Sequence, residues 1–325
     1  MSEPAPALDL PAQAIPIPST ISPQARAFLA SATRQLAVNG GNSSTADLVA
    51  GAEAALKVLS ARASGFAGEC ETVDLGHGAK LYHIVPAGLD PARSQLAYLD
   101  VHGGAFVAGG GEMCRILAQL RAMDLGVQVW AVDYRLAPDH PYPAALDDCM
   151  AAYRHVLGLH EPSQVIVAGG SAGGNLVAAM LLRARDESLP MPAGLIMMTP
   201  VVDMTGAGDT RMTNRFLDVT LYGGGGEGTS AYVAGGDPLS PYLSPILGEF
   251  TRDWPPTLLS SGTRDLLLSD TVRMHRALRR AGIRAELHVA EAGPHGGFMG
   301  TAPEDHELIA ECRRFCDEAW GLGSA

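Results

Sequence analysis

The stretch Val165-Ile166-Val167-Ala168-Gly169-Gly170-Ser171-Ala172-Gly173-Gly174 decides the fold. A short apolar, β-branched run ends in two glycines, presents one serine, and passes directly into the helical pattern Ala172 to Arg185. Gly169 to Gly173 fit Gly-x-Ser-x-Gly. That pattern is weak by itself in a glycine-rich chain and becomes specific when a strand precedes it and a helix follows. The turn must be sharp enough to push the serine out on strained dihedrals, so its flanks must be small; Gly170, Gly173 and Gly174 meet that need. The competing reading is a serine-capped helix holding a phosphate at its N-terminus. A phosphate loop wants the lysine of Gly-x-x-x-x-Gly-Lys, which is missing here. Ser171 is therefore the candidate nucleophile.

A serine nucleophile needs donors for an oxyanion, a base, and an acid that orients the base. His102-Gly103-Gly104-Ala105 follows the apolar run Gln95 to Val101. Glycines let backbone N–H groups turn toward a reacting carbonyl unobstructed, so Gly103 and Gly104, with Ala172 after the nucleophile, are the candidate oxyanion donors. His102 is expected to brace that loop by hydrogen bonding. The acid and the base belong on loops at the carboxyl ends of later strands. Gly262-Thr263-Arg264-Asp265 follows the strand pattern Thr257 to Ser261, and Gly293-Pro294-His295-Gly296-Gly297 follows Ala285 to Ala290. Asp265 and His295 are thus the expected acid and base, in the chain order Ser, acid, His. Asp270 is the rival acid, but it stands where a helix pattern starts and reads as an N-cap. His288 lies inside a strand pattern and reads as packing.

Around these loops, short apolar strands alternate with helical patterns. Glu71 to Leu75 and Lys80 to Val85 predict a hairpin, Val127 to Val132 a buried strand, and Gly194 to Thr199 another. Met113 to Met123, Ala144 to Leu157, Asp270 to Ala281 and Glu304 to Trp320 predict helices. The alternation predicts an α/β protein with a mostly parallel sheet covered on both faces. Two helical patterns, Pro23 to Leu36 and Ala46 to Ala63, precede every strand and are expected to cover the sheet. The breaker cluster 39–44 joins them, and residues 1–20 read as a loose arm. Asp203 to Ser244 breaks the alternation and reads as an insertion, helical around Asn214 to Tyr222, with Gly223 to Gly226 as a loop tip.

Composition narrows the function classes. The chain has 325 residues and a formal net charge of −12, with no basic stripe, which argues against a nucleic-acid partner or an anionic membrane surface. The five cysteines form no disulfide framework and point to a reducing, cytoplasmic setting. Cys312 and Cys316 share a helical face but lack the further ligands a structural zinc wants, and His306-Glu307 is followed by Ala310 where a zinc-protease helix needs its second histidine. No zinc site is expected. The N-terminus lacks the basic start and apolar run of a signal peptide, and no apolar run is long enough for a membrane span.

Asp133-Tyr134-Arg135-Leu136-Ala137-Pro138-Asp139-His140-Pro141-Tyr142-Pro143-Ala144-Ala145 resembles the segment after strand four of the hormone-sensitive-lipase-like (bacterial family IV) esterases. Together with His102-Gly103-Gly104, the Ser171 turn, and the Asp265 and His295 loops, the resemblance runs from about the first strand to the C-terminus. Asp237-Pro238-Leu239-Ser240-Pro241 is similar to the segment where that family's chain returns to its core. The resemblance implies an α/β-hydrolase fold with an eight-stranded sheet. It divides the chain into cap helices at 1–65, core at 66–202, a cap insertion at 203–245 and core again at 246–325. It implies hydrolysis of short- to medium-chain acyl esters, small-molecule ester substrates, and no metal or cofactor. A lactone hydrolase on the same three residues, or a non-catalytic small-molecule-binding protein of the same fold, are the alternatives. Relatives often dimerise through the last strand, which leaves a homodimer open. Two departures stand out: Gly170, where many members carry Asp, and Ala105, where many carry Gly.

Overall fold

A computed structural model describes residue 7 and residues 11–39, 44–224 and 226–323. Parts of the arm (1–6 and 8–10), of the breaker cluster (40–43) and of the glycine run (225) lie outside the described residues. Eight strands form one sheet: β1 (Gly68–Gly76), β2 (Ala79–Pro86), β3 (Ala97–Val101), β4 (Gln128–Asp133), β5 (Val165–Gly170), β6 (Gly194–Met198), β7 (Thr257–Gly262) and β8 (Ala285–Ala290). Their spatial order is β1-β2-β4-β3-β5-β6-β7-β8. β1, β2 and β4 pair antiparallel, and every pairing from β4 through β3 to β8 is parallel. This is the α/β-hydrolase sheet, with β5 near its centre.

The helices are α1 (Pro23–Asn39), α2 (Thr45–Ala63), α3 (Glu112–Leu125), α4 (Ala144–Leu157), α5 (Ala172–Asp186), α6 (Thr210–Thr213), α7 (Gly226–Val233), α8 (Leu268–Arg280) and α9 (Pro303–Ala319). Strand periodicity sends alternate side chains into two separate cores. Leu99, Val101, Val165 and Val167 pack with α4, α5 and α8 on one face. Tyr98, Ile166 and Ala168 pack with α3 and α9 on the other. Both faces are apolar because both are covered, which is why these strands read as continuous apolar runs. Among the described residues no helix is long and apolar enough to cross a membrane.

α2 starts as its cap residues dictate: the Ser44 side chain accepts the Asp47 N–H, and the Asp47 carboxylate accepts the Ser44 N–H. α1 runs alongside the C-terminal region, where Ser22 donates through its N–H (2.7 Å) and hydroxyl (2.8 Å) to Glu304. Leu29 and Ala25 are buried with Phe298 and Ala292 of the His295 loop. The helix expected over Asn214 to Tyr222 is displaced. Helix α6 ends at Thr213, α7 begins at Gly226, and turns fill the interval. The cause is local. Asp218 Oδ1 accepts the N–H groups of Thr220 and Leu221, offering the backbone a turn in place of a helical ladder. The Asp270 reading also shifts. α8 begins two residues earlier, at Leu268, so Asp270 sits inside its first turn and not at the N-cap.

The sharp turn between β5 and α5 depends on two of the glycines expected, Gly173 and Gly174, and on Gly169 in place of Gly170. A Cβ at Gly173 would lie 1.9 Å from the Val101 carbonyl oxygen, one at Gly169 2.4 Å from the Gly173 oxygen, and one at Gly174 2.7 Å from Pro200 Cβ. At Gly170 it would meet nothing nearer than the Met198 oxygen at 3.8 Å, so a Cβ fits there and glycine is not a steric demand. Gly173→Ala must therefore push α5 off β3, and we expect it to cost about 1–3 kcal/mol or more of stability. Urea denaturation checks this, with Gly170→Ala expected to stay near wild type.

Candidate active site

Ser171 takes φ 54° and ψ −117° between β5 and α5. This is a strained conformation for a non-glycine residue, and the surrounding structure fixes it. The Ser171 N–H donates to the Met198 carbonyl (2.9 Å), and its own carbonyl accepts from Val201 (3.1 Å), so β6 and the loop after it lock the turn. The side chain is left projecting from the carboxyl end of the parallel sheet.

His295 and Asp265 meet it there. Ser171 Oγ lies 2.8 Å from His295 Nε2, and His295 Nδ1 lies 3.1 Å from Asp265 Oδ1. The structure thus brings together, in one hydrogen-bonded line, three residues spread over 124 positions of sequence. Asp265 is fully buried and held on both oxygens: Oδ1 also accepts the Leu267 N–H (2.9 Å), and Oδ2 accepts the Ser261 hydroxyl (2.6 Å). Asp270, the rival, is turned elsewhere. Its Oδ2 accepts the Val202 N–H (3.1 Å) and faces the Arg211 guanidinium (3.2 Å), which ties α8 to the chain leaving β6.

Electrostatics poise the histidine. Burial works against the charged imidazolium, but the Asp265 charge, its hydrogen bond and the Asp218 charge outweigh it and hold His295 above its ordinary value. A base must be neutral to act, and raising its pKa moves the loss of the neutral form to higher pH. The acid limb of kcat/KM is therefore expected at a pH above the ~6.5 of an unperturbed histidine. A pH–rate profile checks this; a rate flat into acid would contradict it.

The predicted oxyanion loop lies against Ser171. A Cβ at Gly103 would sit 3.2 Å from Ser171 Cβ and 3.0 Å from the Gly170 oxygen, so a side chain there would have to displace the Ser171 turn by a few tenths of an ångström. Gly104 has φ +116°, and a Cβ there would fall 2.1 Å from the Ala108 oxygen. Ala172 is the first residue of α5, where helix geometry leaves the N–H without an intrahelical acceptor. His102 Nδ1 lies 2.7 Å from the Gly103 carbonyl in the same loop, so Nδ1 carries the proton and donates. Burial holds its pKa below the usual histidine range, and Tyr134 stacks on the ring at 4.1 Å while donating its hydroxyl to the His102 carbonyl (3.0 Å). Ala105, at φ 53°, packs against Gly228 of α7, where a Cβ would lie 2.9 Å from the Ala105 methyl.

The insertion supplies residues that the sequence did not single out. Asn214 donates through Nδ2 to the carbonyls of Asp265 (2.9 Å) and Thr263 (3.1 Å). Asp218 accepts from both the Leu266 and His295 N–H groups. Asn214 sits in no local motif, and the Asp218 contacts to Leu266 and His295 span 48 and 77 residues, so no signal short of the fold marks either contact.

Comparison with known proteins places the fold in a family. Residues 98–299 match the family model described as alpha/beta hydrolase fold, and the chain belongs to that family. Within it, the chain is an esterase of the hormone-sensitive-lipase-like group. It is 31% identical over 230 residues to an esterase of Acinetobacter venetianus, covering 69% of this chain and 75% of that one. It is 33% identical over 203 residues to an acetyl-hydrolase of Streptomyces hygroscopicus, covering 62% and 68%. An esterase from the bacterial hormone-sensitive lipase family has a crystal structure that superposes with a TM-score of 0.78 at 27% identity, over 93% of this chain and 99% of that one. The protein is accordingly a carboxylesterase; it hydrolyses esters.

Proposed function

We propose that Ser171, His295 and Asp265 perform this hydrolysis as a nucleophile, its base and the orienting acid, on short- to medium-chain acyl esters. The 2.8 Å approach of Ser171 Oγ to His295 Nε2 carries the reading. His295 takes the Ser171 proton as Oγ bonds to the ester carbonyl carbon. The carbonyl oxygen becomes an oxyanion held by the N–H groups of Gly103, Gly104 and Ala172. The imidazolium gives its proton to the departing alkoxide, so alcohol leaves and the acyl group stays on Ser171. Water then attacks in the same manner, His295 takes its proton and returns it to Ser171 Oγ, and the carboxylic acid is released.

We read residues 1–65 and 203–245 as a cap over this centre, on the core segments 66–202 and 246–325. Supporting this, the Thr45 N–H donates to Glu227 (3.1 Å), and Phe106, after the oxyanion loop, stacks at 4.0 Å on Tyr232 of α7. The acetyl-hydrolase relative supports small acyl groups. The cysteines are unpaired thiols, and all except Cys70 are buried, which supports a reducing, cytoplasmic setting. Rates on p-nitrophenyl esters from acetate to palmitate test the substrate class. We expect kcat/KM to peak at short chains and collapse at palmitate. A folded enzyme inert on the whole series would move the reading to lactones or to a binding protein.

A further inference from the structure

We propose that Asp218, on the insertion, is a positioning residue of the active site: one carboxylate that fastens the acid loop and the base loop together and adds a second negative charge beside His295. The proposal rests on the assignment of His295 as base. Asp218 is fully buried. Its Oδ2 accepts the N–H of Leu266, next to Asp265, at 2.7 Å, and the N–H of His295 lies 3.3 Å from each of its oxygens. Oδ1 also accepts the N–H groups of Thr220 (2.9 Å) and Leu221 (3.2 Å) in its own turn. Every one of these partners is a donor, so the group serves as an acceptor on all sides, as an ionised carboxylate does. The loops carrying Asp265 and His295 follow different strands, β7 and β8, and Asp218 bridges their backbones within one residue of each functional side chain. A neutral residue of the same size can supply only part of this acceptor set.

The charge has a consequence that the fastening alone does not. The charged groups facing His295 are Asp265, Asp218 and Arg211; the two carboxylates favour the imidazolium and the guanidinium opposes it. Burial pushes the Asp218 carboxyl up, the His295 charge and the Leu266 and Thr220 N–H groups pull it down, and the Asp265 charge raises it. Removing the Asp218 charge should therefore lower the pH at which His295 gains its proton, while loosening both loops should slow the chemistry.

Asp218→Asn and Asp218→Thr test this, both neutral and each keeping one oxygen acceptor. The measurement is kcat/KM against pH on p-nitrophenyl acetate, for whichever variants are folded by circular dichroism. We expect kcat to fall roughly ten- to a hundredfold through misplaced loops. We also expect the acid limb to move to lower pH by about half a unit or more. A limb that stays at the wild-type position in a folded variant overturns the proposal, since a purely structural role slows the enzyme without moving it. A wild-type profile with no acid limb would instead overturn His295 as the base.

Discussion

Ser171→Ala is expected to lower ester hydrolysis by at least on the order of 10⁴-fold, with the fold intact. The effect is large because the substitution removes the atom that forms the acyl bond, leaving only the oxyanion loop and substrate binding to act on a water-driven reaction. The fold is expected to survive because the Ser171 side chain is half-buried, its Oγ faces His295 at 2.8 Å, and the turn is held by backbone bonds that alanine keeps. The positive φ is equally strained for serine and alanine, so the melting temperature should shift by no more than a few degrees. Activity within tenfold of wild type would remove Ser171 from the chemistry.

The second large effect is at Asp265. Asp265→Ala should reduce kcat by roughly 10⁴-fold, because His295 loses the acceptor that fixes its tautomer and stabilises the imidazolium. It should also destabilise the protein, since the Leu267 N–H and the Ser261 hydroxyl lose their acceptor in a fully buried site, at about 1–3 kcal/mol for each donor stranded. Asp265→Asn is the sharper probe. An amide can place its oxygen toward Leu267 and His295 and its NH₂ toward Ser261, whose hydroxyl can rotate to accept. The asparagine variant therefore keeps the geometry and loses the charge. We expect it to be more active than the alanine variant, with its acid limb at lower pH than wild type. Equal loss in both would mean that the charge is everything and the tautomer nothing.

What could be read from the sequence follows from how local each constraint is. Ser171 was legible because the strand, turn and helix that create its strain are contiguous. The meeting of Asp265 and His295 with Ser171 was legible because chain order and strand ends place their two loops without any knowledge of contacts. The paired apolar runs of β3 and β5 gave the parallel sheet for the same reason. The insertion resisted reading. Its turns are set by Asp218, whose other partners, Leu266 and His295, lie 48 and 77 residues away. The glycines of the turn were only partly legible: Gly169 and Gly173 are required by a close approach to each other and to β3, which no pattern within the motif distinguishes from the open Gly170. Asp270 looked like a cap because it opened an apparent helix. Its carboxylate in fact holds Val202 and Arg211, a long-range role invisible without the fold.

The assignment of Ser171 as nucleophile is tested most directly by covalent labelling with a fluorophosphonate, followed by mass mapping of the adduct. A single adduct on the Ser171 peptide is expected, lost in Ser171→Ala and slowed as the pH falls through the His295 acid limb. A folded, ester-hydrolysing protein that takes no label, or takes it at another residue, would contradict the account.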